Sequence, residues 1–206
     1  MNATVDDIRT ALETFGSATI FEAADGTARW LPGPRALWPG AVVAGRTRTV
    51  AIQAGDNLGV HEAIEACGEG DVVVVAAGGD TTVAVAGEIL VTAAIMRHVG
   101  GLVIDGAVRD VAALRELGLP VFATGVSPVG PEKARSGELG VPVCIGNETV
   151  GPGEWLVGDD DGVVVFADDR LRDVLDGAAA RQEREARVLA LVREGVPTLE
   201  ALRKHQ

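Results

Sequence analysis

The 206-residue sequence has no tyrosine, seven other aromatic residues (three Trp, four Phe), two cysteines, two lysines and three histidines. Each shortage excludes a class of chemistry. The lysines, Lys133 and Lys204, both sit in polar segments. Schiff-base catalysis needs a desolvated lysine with a lowered pKa, and neither fits. Cys67 and Cys144 stand alone in apolar surroundings without CxxC spacing, which excludes a zinc site or disulfide framework and reads as two reduced, buried thiols. His61, His98 and His205 are scattered, with no pair at metal-ligand spacing, and read as structural or exposed. The sequence has no GxGxxG after a strand, no GxxxxGK[ST] and no GxSxG, so dinucleotide, P-loop and α/β-hydrolase sites lack their defining loops.

Positive charge is also short. Eighteen basic against thirty acidic residues give a formal charge of −12, which repels the phosphate backbone on which nucleic-acid affinity rests. No apolar run approaches the roughly 18 residues of a membrane span. The opening segment MNATVDDIRTALETFG carries acids at amphipathic spacing rather than a basic stretch followed by an apolar one. No nucleic-acid partner, membrane association or signal peptide is therefore expected, and a cytoplasmic location is.

What the sequence does contain is aliphatic. It is 47% hydrophobic with 27 glycines, and a core of Ala, Val, Ile and Leu suits an α/β protein. The length suits one domain, residues 1–206, with a helical tail from about 168. Residues 4–15 read as a helix and SATIFEAADG as a second, capped by Ser17 and ended by Gly26. RWLPGPRALWPG breaks regular structure. AVVAGRTRTVAI, DVVVVAA, GLVIDG and PVFATG read as strands, with helices at NLGVHEAIEAC, 88–99 and DVAALRELG between them. GGDTTVAVAG reads as a flexible loop. VCIG, EWLVGD and GVVVFA are strand candidates without helices between them, so a mixed, two-layer strand arrangement is expected rather than a purely parallel sheet. Asp168 to about Arg193 reads as a charged helix packed on its own domain or on a neighbouring subunit.

Chemistry concentrates in residues 87–110, GEILVTAAIMRHVGGLVIDGAVRD. Gly87 permits close backbone approach, and residues 88–90 open a helix whose first N–H groups lack intrahelical acceptors, a seat for an anion. Asp110 directly follows an aliphatic strand, where α/β proteins bind ligands. It offers a hard oxygen ligand to an ion such as Mg²⁺, which keeps several waters. Arg109 could grip a carboxylate through a forked pair of hydrogen bonds, and Glu88 adds a second acid. With lysine so scarce, carbonyl chemistry would need a metal as Lewis acid. Two readings of Arg109-Asp110 stay open on spacing alone: a keto-acid and metal site, or a helix start with Asp110 as N-cap. Asp159, Asp160 and Asp161 lack the alternating spacing of a calcium loop and read as a tight turn. Glu183 and Glu185 read as solvated charges on pattern alone.

ATIFEAADG, PGAVVAGRTRTV, GDNLGVHEAIEACGEGDVVVVAAGG, GEILVTAA, GLVIDGAVRD and PGEWLVGDDDGVVVF together resemble the 4-hydroxy-4-methyl-2-oxoglutarate/4-carboxy-4-hydroxy-2-oxoadipate aldolases. Their superfamily, the RraA-like proteins, also holds the regulators of ribonuclease activity A. The resemblance runs from about residue 15 to 195. It implies an α/β/β/α sandwich resembling a swivelling phosphohistidine domain, assembled as a homotrimer or homohexamer with active sites at the interfaces. It implies a class II pyruvate aldolase acting on 4-hydroxy-2-oxo acids, as in aromatic compound catabolism, with oxaloacetate decarboxylation as a side activity.

By the same resemblance Asp110 would coordinate Mg²⁺ or Mn²⁺, and Arg109 would bind pyruvate's carboxylate and stabilise its enolate. Gly87, Glu88, Ile89 and Leu90 would contact substrate, with Glu88 positioning a metal-bound water that relays protons. Glu22 and Glu185 would reach the metal's water shell from an adjacent subunit. The aldolases share an acid, twenty intervening residues and Arg-Asp; that acid is often Asp, so Glu88 is a departure. The regulator branch often lacks the aspartate of the pair, so Asp110 favours chemistry. A non-catalytic ribonuclease regulator and another metal-enolate lyase or decarboxylase remain the alternatives.

Overall fold

The computed structural model describes residues 4–204; His205 lies outside them. Strand alternation organises the layers, because successive side chains point to opposite faces of a sheet. In β4 (Val72–Ala86), Val72, Val74 and Ala76 face one apolar cluster while Val73 and Val75 face another. The same division recurs in β10 (Trp155–Asp159) and β11 (Gly162–Phe166). Leu156, Val163 and Val165 join Val72 in a central cluster, whereas Trp155, Val157, Val164 and Phe166 point outward.

Nine strands form the main sheet. β3 (Val43–Ala51), β4, β5 (Gly101–Val108) and β6 (Val121–Val126) run parallel and in chain order. Their crossover helices are α2 (Leu58–Glu65), α3 (Glu88–Met96) and α4 (Val111–Leu117). With no reversal of strand order, crossovers of one hand place all three on the same face. Beyond β3 the sheet continues antiparallel through β10, β11 and β1 (Arg29–Leu31). Short β2 (Arg35–Ala36) pairs with β6, and β7 (Glu138–Leu139) with β3. A separate hairpin, β8 (Val143–Ile145) and β9 (Glu148–Val150), supplies Val143, Ile145 and Val150 to the central cluster.

The outer face of the antiparallel half is covered by α1 (Val5–Ala23) and, after a short 3-10 turn, α5 (Leu171–Arg193). Leu12, Ile20, Val174 and Ala178 pack there on Trp155 and Phe166. The layers are therefore α/β/β/α, as the family resemblance implies. α5 packs on its own chain, and a last helix, α6 (Thr198–Arg203), follows it. Among the described residues no helix is long and apolar enough to cross a membrane.

Three expectations need correction. Two helical segments do meet at Gly16 (φ 77°), but Ser17 does not cap the second. Its amide and hydroxyl both donate to the Asp159 carboxylate, at 2.7 and 2.6 Å. Asp159 also accepts from Asp161 N, so the acidic run is the turn its spacing suggested, and it ties that turn to α1. The segment GGDTTVAVAG is not a loop: β4 continues through it past irregular pairing, with Gly78 and Gly79 at positive φ where the strand departs from regular pairing.

The cysteines differ from expectation too, since Cys67 is only partly buried and Cys144 is exposed. Burial, with Asp71 nearby and Arg48 opposing, pushes the Cys67 thiol up to about 11. At pH 8 a thiol reagent is expected to reach the exposed Cys144 readily and to modify Cys67 on the order of 100-fold more slowly than a free thiol. Cys144→Ser should remove the fast phase, and two equal fast phases would contradict the assignment.

Candidate active site

β4 and β5 are adjacent parallel strands, and Ala86 pairs with Val108 at their carboxyl ends. Each strand passes there into a helix, through Gly87 to α3 and through Arg109-Asp110 to α4. The twenty residues between Glu88 and Arg109 are thus one helix and one strand, the length that returns the chain to the same edge one strand over. Arg109 N donates to Ala86 O at 3.0 Å and holds the two turns together.

Asp110, through its side chain, bears on the helix-start reading of the pair. It occupies the residue before α4, but its side chain makes no capping bond there. Instead Oδ2 accepts from the amide of Glu88, the first residue of α3, at 3.1 Å. Asp110 also sits at φ 60°, ψ 33°, a left-handed conformation that costs a non-glycine residue about 1 kcal/mol or more. A residue held there without capping its own helix is not explained by helix initiation.

Arg109 Nε lies 3.5 Å from Asp110 Oδ2, and both side chains are two-fifths exposed. The backbone crowds them closely. A Cβ added at Gly87 would stand 2.5 Å from Asp110 Oδ2 and 2.9 Å from Arg109 Cγ, and one at Gly130 would stand 2.8 Å from Arg109 Nη1.

Arg109 and Gly87 line a small cleft, partly open to solvent, with Ile89, Leu90, Asn57, His61, Pro131 and Lys133 among its walls. A second hollow on the far side of Arg109 is lined by Asp110, Val126, Ser127 and Pro128. Ile89 is exposed at the rim and Leu90 is buried. The helix start leaves the amides of Ile89 and Leu90 without intrahelical acceptors, next to the Arg109 guanidinium. Together these donors could seat an anion, with the Asp110 carboxylate beside them.

Three residues here were passed over in the sequence. Asn57 is buried; its Nδ2 donates to Val85 O at 3.0 Å while Oδ1 has no partner. His61 is partly buried, and its Nε2 is likewise buried and unpartnered. Lys133 is exposed, which sustains the case against a Schiff base, yet it stands on the cleft wall. The missed signal was topological: Asn57 and His61 flank the start of α2, whose amino end comes to the same edge as those of α3 and α4. Asp56 binds the wall in place, accepting from Leu58 N (2.9 Å), Ala134 N (2.8 Å) and Arg135 N (3.0 Å). Those backbone bonds hold its carboxyl below the usual range, led by Leu58. His98, at φ 56°, lies exposed beyond the end of α3, away from the cleft lining.

Glu22 and Glu185 do not join this cleft within the chain. They meet on the opposite helical layer, where Arg181 binds Glu22 Oε2 and Glu185 Oε1, each at 2.8 Å. Glu185 is therefore paired rather than simply solvated. Among the described residues no three His, Cys, Asp or Glu side chains gather as a metal cage.

Residues 9–165 match the RraA-like family, described as Aldolase/RraA. The chain belongs to that family. A relative from Halalkalibacterium halodurans, named "Putative 4-hydroxy-4-methyl-2-oxoglutarate aldolase", is 35% identical over 90% of this chain and 89% of its own length. Among RraA-like structures, the chain resembles Streptomyces coelicolor RraAS2, described as an unusual member of the RNase ES inhibitor RraA family. That match has 29% identity and a TM-score of 0.76, covering 90% of this chain and 97% of the other. A Thermus protein described as the RNA-processing inhibitor RraA matches at 28% identity and a TM-score of 0.66, over 81% and 93%. The RraA-like fold thus accommodates proteins described as aldolases and proteins described as inhibitors, and the cleft residues must discriminate between them.

Proposed function

We propose that this chain is a divalent-metal-dependent aldolase that cleaves 4-hydroxy-2-oxo acids, such as 4-hydroxy-4-methyl-2-oxoglutarate, to pyruvate and a second carbonyl compound. Oxaloacetate decarboxylation follows as a side activity, since it passes through the same enolate. The observation that carries this reading is the Asp110 carboxylate, held in a strained conformation beside Arg109 and turned away from its own helix. An RNase-regulating role, suggested by the described inhibitors of this fold, gives that strain no purpose.

The donor set suits Mg²⁺ or Mn²⁺. Asp110 is a half-exposed hard oxygen donor with one oxygen engaged by Glu88 N, and such ions need one or two protein carboxylates, the rest being water and substrate. Asp110 would hold the ion, with Glu88 ordering water beside it; when bound, the ion supplies a Lewis acid for the substrate's carbonyl oxygen. Arg109 and the free amides at the start of α3 would take the 2-oxo acid's carboxylate, fixing the carbonyl next to Asp110. As the bond between carbons 3 and 4 breaks, negative charge develops on the enolate oxygen, where the Arg109 guanidinium is already placed. Lys133 and the unpartnered Asn57 Oδ1 remain for the distal part of the substrate.

The site is open on one side, and Ile89, Val126 and Val129 around it are exposed. That supports a homotrimer or homohexamer in which Glu22 and Glu185, positioned by Arg181, complete a neighbour's site. Purified protein is expected to release pyruvate from 4-hydroxy-4-methyl-2-oxoglutarate and from oxaloacetate with Mg²⁺, and to stop when the ion is chelated. Absence of turnover on both acids would overturn the enzyme reading and leave regulation by protein binding.

A further inference from the structure

After β6 the chain crosses the carboxyl ends of the parallel strands one by one. Ser127 N donates to Val108 O at the end of β5 (3.0 Å), and Val129 O accepts from Ala84 N in β4 (2.9 Å). Glu132 then bonds the connection from β3 to α2, its N donating to Gly55 O (2.8 Å) and its O accepting from Asn57 N (3.1 Å). Residues 127–135 are thus a strap laid over the edge that carries Arg109. Between the second and third of these anchors the strap meets Arg109 itself: a Cβ added at Gly130 would stand 2.8 Å from Nη1, and Pro131 lines the same cleft as the guanidinium. Arg109 is two-fifths exposed, and its ion pair with Asp110 is made through Nε. The outer nitrogens of its fork, the ones that would grip a carboxylate, are therefore placed by what packs against them.

The far end of the strap is tied down by Asp56, which is 4% exposed. Its Oδ2 accepts from the amides of Ala134 (2.8 Å) and Arg135 (3.0 Å), and its Oδ1 from Leu58, the first residue of α2 (2.9 Å). Burying a carboxylate is costly unless its oxygens are bonded, and a carboxylate bonds amides more strongly than a neutral acceptor does. Asp56 so fastens the strap to the most rigid part of the cleft wall. Glu62, only partly buried, takes the next residues, Ser136 Oγ (2.7 Å) and Gly137 N (3.3 Å), which lie beyond those that face Arg109. Asp110 is held from the other side, by Glu88 N.

We infer that Asp56 is a positioning residue of the keto-acid site: by fixing the strap over Arg109 it sets how tightly the guanidinium holds the substrate's carboxylate, without itself touching substrate. This rests on the aldolase reading above. The two halves of the site are then positioned separately, the anion grip by the strap and the metal ligand by the start of α3.

The test is pyruvate binding to the Mn²⁺-loaded protein by calorimetry, with Mn²⁺ binding alone, steady-state constants for oxaloacetate and thermal melts, for wild type, Asp56→Ala, Asp56→Asn and Glu62→Ala. Asp56→Asn keeps the size of the side chain but turns an NH₂ toward amides that need an acceptor, and it carries the test if the alanine variant fails to fold. Both Asp56 variants are expected to raise the Kd of pyruvate and the KM of oxaloacetate ~10-fold, with kcat falling less and Mn²⁺ affinity unchanged. Simple destabilisation would instead lower the amount of active protein, and so the apparent kcat, leaving KM and Kd where they were. Glu62→Ala should leave pyruvate binding unaltered. Gly130→Ala disturbs the same guanidinium, so joining it to Asp56→Asn should weaken binding by less than the product of the two single effects. Unchanged pyruvate affinity in a folded Asp56 variant, an equal loss of Mn²⁺ affinity, an equal effect of Glu62→Ala, or independent effects in the double variant overturns the assignment. A wild-type protein that binds no pyruvate and turns over neither acid sinks the aldolase reading itself, which is a separate outcome.

Discussion

Asp110→Ala is expected to yield a folded protein whose turnover of a 4-hydroxy-2-oxo acid falls by ~10³-fold or more. The side chain contributes little to the fold. It makes no cap on α4, and its bond to Glu88 N lies at an exposed helix start where water can replace it. Losing that bond costs about 1 kcal/mol or less. Asp110→Gly extends the argument, because glycine adopts the left-handed backbone at φ 60° without the Cβ penalty. Relief of about 1 kcal/mol of strain offsets much of the lost bond and the looser unfolded chain, so its melting temperature should stay close to that of wild type while activity is lost. Asp110→Asn isolates the charge. It keeps an oxygen for Glu88 N and tolerates the same backbone, yet offers no anionic ligand, so Mn²⁺ binding followed by electron paramagnetic resonance should weaken along with turnover. An asparagine variant that binds Mn²⁺ and turns over normally would refute the role given to Asp110.

The strained aspartate also shows how far the sequence could be read. Strand and helix periodicity placed the units from β3 to β6 because buried parallel strands are continuous aliphatic runs, and Val72–Val75 and Leu102–Ile104 are such runs. Periodicity could not place the later half of β4, whose glycines, threonines and aspartate look like a loop and are held by neighbours in the sheet. Nor could local pattern find Asp159 as the partner of Ser17, a contact across 142 residues. At the site, Glu88, Arg109 and Asp110 were legible because one spacing unites them. Asn57, His61 and Lys133 were not, since their meeting depends on α2 and the 130–135 segment converging on the same sheet edge, which Asp56 enforces through three backbone bonds. Pattern alone favoured the N-cap reading of Asp110, and its side chain makes no capping bond on α4.

Gly87→Ala separates position from chemistry, because it removes no functional group. The backbone at Gly87 is extended, φ −162°, so alanine fits it without strain. Its methyl would nevertheless stand 2.5 Å from Asp110 Oδ2, 2.9 Å from Arg109 Cγ and 3.2 Å from Arg109 Nε. Those atoms belong to half-exposed side chains that can swing away, so the overlap is relieved at the expense of the site rather than of the fold. Displacement of a positioned group by about 1 Å costs ~10²-fold in rate, and here both Asp110 and Arg109 move. Gly87→Ala is accordingly expected to lose ~10²-fold or more in kcat/KM with a nearly unchanged melting temperature. Gly130→Ala meets Arg109 Nη1 but not Asp110, so it should raise KM for the keto acid while sparing Mn²⁺ binding. Gly45→Ala is the contrasting control: its Cβ would lie 2.3 Å from the carbonyl oxygen of Gly70, and backbone cannot swing aside, so stability should fall. If Gly87→Ala retains full activity, the close approach of α3 to Arg109-Asp110 is not what holds the pair in its working position.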